Sequence, residues 1–94
     1  MPDQPLVRTV VIPNRRGLHA RAAAKFVKCA ATFTADIAVS KDGQSVSAQS
    51  IMGLMMLAAP LGSSITITAQ GGDAEAAMAA LVALVEGKFG EGNT

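Results

Sequence analysis

Two rhythms alternate along the chain. From Ser64 to Ala69, the apolar Ile65, Ile67 and Ala69 alternate with Ser64, Thr66 and Thr68, the two-residue period of a strand with one covered face. Thr34 to Ser40 repeats it, with Ala35, Ile37 and Val39 inward, and Lys41-Asp42-Gly43-Gln44 then makes an Asp-Gly hairpin turn. The returning strand, Ser45 to Ala48, points Val46 and Ala48 inward. Leu6 to Ile12 is β-rich and stops at Pro13, which predicts a further strand. Its alternation leaves the buried face undecided.

Between the strands the period lengthens. Ala20, Ala23/Ala24, Val27 and Ala30/Ala31 recur at helical spacing while Arg21, Lys25 and Lys28 share the wet side, so Ala20 to Ala31 is predicted as a helix. After Gly71-Gly72, Asp73 reads as the cap of a last helix running from Ala74 to about Lys88. Its buried stripe is Ala77, Met78, Leu81, Leu84, Val85 and Phe89. A short helix over Ser50 to about Leu57 is capped by Ser50, whose hydroxyl can accept an orphan N–H.

That short helix breaks the pattern. Ile51, Met52, Leu54, Met55, Met56 and Leu57 make it apolar nearly all round, whereas a surface helix in so small a domain should have a polar face. Either the segment is fully buried, or part of it is exposed as a docking patch. Methionine suits the second use, because it adapts to several differently shaped partners.

The order β-α-β-β-α-β-α on 94 residues predicts one two-layer α+β domain spanning 1–94, with helices on one sheet face and the Thr- and Ser-bearing face wet. Residues 1–5, with two prolines, and 90–94 are expected to be disordered. Half the residues are apolar but only three are aromatic, so the core must rest on Ala, Val, Ile, Leu and Met.

Charge adds a direction. The net charge of +1 argues against non-specific nucleic-acid binding. Yet residues 1–47 carry seven basic and three acidic groups, a net +4, while residues 48–94 carry one and four, a net −3. The basic half is the one an anionic ligand or an acidic partner surface would require. Cys29 is the single cysteine; it excludes an internal disulfide and fits a reducing compartment. Within the first helix it reads as a small packing residue before it reads as a reactive thiol. Met-Pro-Asp-Gln-Pro is no signal peptide, and the longest apolar run, Ile51 to Leu61, is too short to span a membrane. A cytoplasmic protein is expected.

The basic half holds the only histidine. A Pro13-Asn14-x-x-Gly17 loop, with Gly17 free to take a positive φ, runs into His19, and the alanine-rich helix starts at once. The imidazole thus stands at a helix N-terminus, where unpaired N–H groups and the dipole favour an anion. Neutral imidazole is a nucleophile near pH 7, and Arg21 can stabilise charge brought by a phosphoryl group. On spacing alone, a plain surface histidine remains the commoner explanation. One histidine and one cysteine ten residues apart do not make a zinc site, and no Gly-rich nucleotide loop is present. No metal or cofactor is expected.

Gly17-Leu18-His19-Ala20-Arg21-x-Ala23 resembles the active-site signature of HPr, the histidine-containing phosphocarrier family of the bacterial phosphotransferase system. Gln49-Ser50-Ile51-Met52-Gly53-Leu54-Met55 resembles the regulatory serine region of the same family. The two occur in the family's order and separation, within a match from about Leu6 to Phe89. The resemblance implies an open-faced β-sandwich, a four-stranded antiparallel sheet covered on one face by three helices. It implies phosphorylation of Nδ1 of His19 by phosphoenolpyruvate-charged enzyme I and transfer to EIIA-type acceptor domains. The chain would then be a phosphoryl-transfer intermediate rather than a free-standing enzyme. The Ala20 and Arg21 N–H groups and the Arg21 guanidinium would receive the phosphoryl oxygens. Ser50 would be the target of HPr kinase/phosphorylase, and Ile51, Met52, Met55 and Lys28 would meet the partners of what is expected to be a monomer.

One position departs from the family pattern. Ala22 stands where the family has proline, which keeps the helix possible but leaves its first turn less rigid, with an extra donor near the site. Two rival readings remain. One is an HPr-like adaptor that docks on regulatory proteins without being phosphorylated; the other is a small metabolite-binding module.

Overall fold

A computed structural model describes residues 4–91. The chain runs β1 (Leu6–Val11), α1 (Ala20–Ala30), β2 (Asp36–Lys41), β3 (Gln44–Ser47), α2 (Ile51–Met56), β4 (Ser64–Gln70) and α3 (Ala74–Glu86), followed by a 3-10 turn at Lys88–Gly90. The four strands form one sheet in the order β1-β4-β2-β3, and every neighbouring pair is antiparallel. This is the predicted architecture: four strands, three helices, one covered face.

The sheet's two faces follow from side-chain alternation. On β4, Ile65, Ile67 and Ala69 are fully buried, and on the central strand β2 so is Val39. On the edge strand β1 the face undecided from sequence is settled. Val10 is buried while Val7 and Val11 are more than half exposed, because Leu6, Val10 and the following Ile12 turn toward the helices. The outer face carries polar cross-strand pairs such as the Thr9 and Thr66 hydroxyls, 3.1 Å apart and opposite each other in register. The β2–β3 turn places Asp42 at φ 52 and Gly43 at φ 84, the paired left-handed residues of a two-residue hairpin loop.

Helix α1 is rotated relative to its expected stripe. Its buried residues are Ala22, Ala23, Phe26 and Ala30, whereas Ala20 is exposed and Val27 only half-buried. Alanine on several faces blurs the apolar periodicity, so the one large ring decides the orientation. Burying Phe26 completely contributes about 1.5–3 kcal/mol, more than any alanine can. Helix α3 buries Ala74, Ala77, Met78, Leu81, Val82 and Val85; Leu84 is only half-buried and Val82 takes a place in the stripe.

Two end effects differ from expectation. Asp73 precedes α3 but makes no side-chain cap; its carboxylate instead accepts the N–H groups of Thr34 and Ala35, each at 2.8 Å. An acceptor with two backbone donors already aimed at it from the α1–β2 loop gains more there than from one helix N–H. At the other end, Gly90 and Glu91, the first two residues of the segment expected to be disordered, are placed against the body of the domain. Lys88, Phe89 and Gly90 form a turn with φ of 60, 54 and 76, Phe89 is fully buried, and its carbonyl accepts a 2.7 Å bond from Lys25 Nζ. Gln4 and Pro5 are exposed and outside any element; the remaining residues of the two expected disordered ends, 1–3 and 92–94, lie outside the described residues.

Candidate functional site

The loop ahead of α1 is built around Asn14, which is fully buried. Its Nδ2 donates to the Gly17 carbonyl at 2.8 Å, and the Gly17 N–H returns to the Asn14 carbonyl at 3.1 Å. Gly17 sits at φ 66, and a Cβ there would fall 2.5 Å from the Ala59 carbonyl oxygen. Both facts demand glycine. The next residue, Leu18, donates its N–H to that same Ala59 carbonyl at 2.8 Å, pinning the loop to the α2–β4 connection.

His19 therefore enters the helix in a fixed pose. Its backbone is extended (φ −79, ψ −177), its carbonyl accepts the Ala23 N–H at 2.8 Å, and its Nδ1 accepts the Arg21 N–H at 3.3 Å. The imidazole is itself the N-cap of α1. A histidine in this position holds one ring nitrogen against the positive end of the helix dipole.

The other ring nitrogen, Nε2, makes a short hydrogen bond to Oε2 of Glu91, 72 residues further along the chain. The second carboxylate oxygen, Oε1, accepts from Asn14 Nδ2 at 2.9 Å. The His19 side chain is 20% exposed and that of Glu91 only 7%, so this pairing is shielded from water. Burial pushes the Glu91 carboxyl up, but the hydrogen bonds from His19 and Asn14 and the charges of His19 and Arg16 outweigh it, and Glu91 titrates below the usual carboxylate range. The partners also assign the tautomer. A carboxylate only accepts, so Nε2 carries the proton; a backbone N–H only donates, so Nδ1 carries the lone pair.

Around the imidazole, Arg16, Leu18, Ala58, Ala59 and Pro60 form a shallow open recess. Arg21 is exposed, and its guanidinium has no partner among the described residues. Ala20 stands beside it at the first helical position, with the N–H groups of the opening turn directed out of the helix. Ala22 is fully buried in the same turn. Lys28 lies on the exposed side of the last turn of α1, and half-buried Cys29 follows it, its thiol pushed up by desolvation. That shift makes a reactive thiolate less accessible.

The second sequence-predicted region is also well defined. Ser50 caps α2, its Oγ accepting the Gly53 N–H at 2.9 Å. Leu54 and Leu57 are buried, while Ile51 and Met55 are 40% exposed and Met52 and Met56 about 70%. The fully buried alternative for this helix is thereby excluded. Helices α1 and α2 pack against each other, so the exposed methionines and the His19 end share one layer. Among the described residues, no group of three or more His, Cys, Asp or Glu side chains could hold a metal ion, and no helix is long and apolar enough to cross a membrane.

Comparison with known proteins decides the family. Residues 6–87 match the family model of the PTS HPr component phosphorylation site. The chain belongs to the HPr family of phosphocarrier proteins. It is 48% identical over 87 residues to the phosphocarrier protein HPr of Cupriavidus necator, covering 93% of this chain and 98% of that one. It is 45% identical to the phosphocarrier protein NPr of Shewanella violacea, covering 92% and 94%. A crystal structure of HPr from Thermoanaerobacter tengcongensis superposes with a TM-score of 0.88 at 48% identity, covering 92% of this chain and 97% of that one. The HPr match runs from β1 to the end of α3 and stops four residues short of Glu91. Sequence reasoning missed Glu91 for a related reason: nothing in a Gly- and Asn-bearing tail marks one acid as a partner for His19.

Proposed function

We propose that this chain carries a phosphoryl group on Nδ1 of His19, taking it from phosphoenolpyruvate-charged enzyme I and passing it to an EIIA-type acceptor domain. The observation that supports this most is Nδ1 of His19 accepting the Arg21 N–H at the N-terminus of α1, beside an Arg21 guanidinium that has no partner among the described residues. Attack by that lone pair forms the N–P bond as the donor's bond to phosphorus breaks, its electron pair staying on the donor atom. Nδ1 has no proton to lose. The Arg21 N–H, now without its nitrogen acceptor, turns to a phosphoryl oxygen, together with the Ala20 N–H and the Arg21 guanidinium.

The chain acts in the cytoplasm as a monomeric relay, not as a free-standing enzyme. Ile51, Met52 and Met55, with Lys28, provide the apolar and basic contacts for enzyme I and the acceptors. Ser50 is the regulatory position, at which HPr kinase/phosphorylase adds a phosphate beside that docking patch. A docking-only adaptor would leave the capped, tautomerically defined imidazole without a use.

Incubation with enzyme I and phosphoenolpyruvate, followed by ³¹P NMR at alkaline pH, tests the carrier role. One base-stable, acid-labile phosphoramidate signal per chain is expected; its absence under conditions that phosphorylate a known HPr would refute the reading.

A further inference from the structure

We infer that Glu91 is a positioning residue for phosphoryl uptake, a carboxylate that keeps the proton on Nε2 of His19 and so keeps the Nδ1 lone pair available. The inference rests on the carrier reading of His19 and adds to it a residue beyond the segment the family model matches.

The geometry carries it. Oε2 of Glu91 accepts the hydrogen bond of the Nε2–H group, Oε1 accepts from Asn14 Nδ2 at 2.9 Å, and the carboxylate side chain is 93% buried, so both oxygens are engaged out of reach of bulk water. Asn14 cannot turn over, because its Nδ2 also donates to the Gly17 carbonyl, and a flipped amide would set its oxygen against two acceptors. The backbone brings Glu91 there through a turn that needs its own support. Lys88 and Phe89 are both left-handed, and they are held by burial of the Phe89 ring and by the Lys25 bond to the Phe89 carbonyl. Such strain in non-glycine residues persists only where surrounding contacts impose it.

The chemistry needs such a group at the moment of transfer. When Nδ1 forms its bond to phosphorus, the ring becomes a cation with its remaining proton on Nε2. The carboxylate at that proton stabilises the charge as it develops, as carboxylate–histidine pairs do elsewhere. On release of the phosphoryl group the N–P electron pair returns to Nδ1 and the proton stays on Nε2. No proton needs to leave the ring in either direction.

The test compares the parent with Glu91→Gln and Glu91→Ala by ¹⁵N-resolved NMR of the imidazole and by the rate of phosphoryl uptake from enzyme I. The parent should show an Nε2-bound proton slow to exchange with water. Both variants should lose it and slow by about tenfold or more with the amide spectrum of the fold unchanged. Gln fails because it has one oxygen for two donors. Variants that take phosphate at the parent rate, or a parent without the protected Nε2 proton, overturn the inference. A parent that shows the proton but accepts no phosphate from enzyme I overturns the carrier reading instead, leaving the pairing of Glu91 with His19 in place.

Discussion

The carboxylate of Asp73 reaches across to the N–H of Ala35 at 2.8 Å and ties the start of α3 to the loop before β2. The Thr34 N–H, also at 2.8 Å, is the larger influence, and with Ala35 it outweighs burial and holds the Asp73 carboxyl below its usual range. A depressed folded-state pKa means that the unfolded chain binds the proton more readily. The stabilisation is therefore complete above the ordinary carboxylate value, near pH 4, and is lost as pH falls through that value toward the folded one. Asp73→Asn should lower the melting temperature at pH 7 and differ less from the parent at pH 2–3. Thermal melts across that range check it; a difference that does not depend on pH would contradict it.

Ala58 occupies a left-handed position, φ 50, directly after the C-cap of α2. Helices end most comfortably there on glycine, since a Cβ in this region is strained by roughly 1–2 kcal/mol. Ala58 is exposed, so the strain is not offset by packing. Ala58→Gly should stabilise the fold by about 0.5–1 kcal/mol, once the greater freedom of glycine in the unfolded chain is subtracted. Denaturant melts give the answer, and a destabilised variant would show that the methyl group packs usefully.

Ser50 sets two effects of negative charge against each other. An aspartate in its place keeps an acceptor for the Gly53 N–H and gains roughly 0.3–1 kcal/mol from the helix dipole. The same charge stands beside the exposed Ile51, Met52 and Met55, where a partner using the proposed docking patch would have to remove water. Ser50→Asp should keep or raise the melting temperature while weakening enzyme I binding by about tenfold or more, equivalent to about 1.4 kcal/mol. A variant that unfolds, or that binds like the parent, would remove Ser50 from any switch.

What was legible in the sequence is what short-range physics encodes. Ile65, Ile67 and Ala69 declare their strand by strict alternation, Asp42-Gly43 declares its turn, and Gly17-Leu18-His19 declares a loop entering a helix. The face of α1 was not legible, because alanine marks every side of a helix equally and Phe26 is a single residue. Asp73 was misread because a cap and a cross-loop acceptor need the same residue type. Glu91 was illegible in a deeper sense. Its role depends on a turn made of Lys88, Phe89 and Gly90 in the left-handed region, which no local preference of lysine or phenylalanine announces.

The central claim, that His19 is the phosphoryl acceptor, is tested most directly by phosphorylating the parent and His19→Ala with enzyme I and radiolabelled phosphoenolpyruvate. His19 caps α1 from outside the hydrophobic core, so the variant should fold. The account predicts one acid-labile, base-stable label per parent chain and none on the variant. Label of that kind on folded His19→Ala would contradict it.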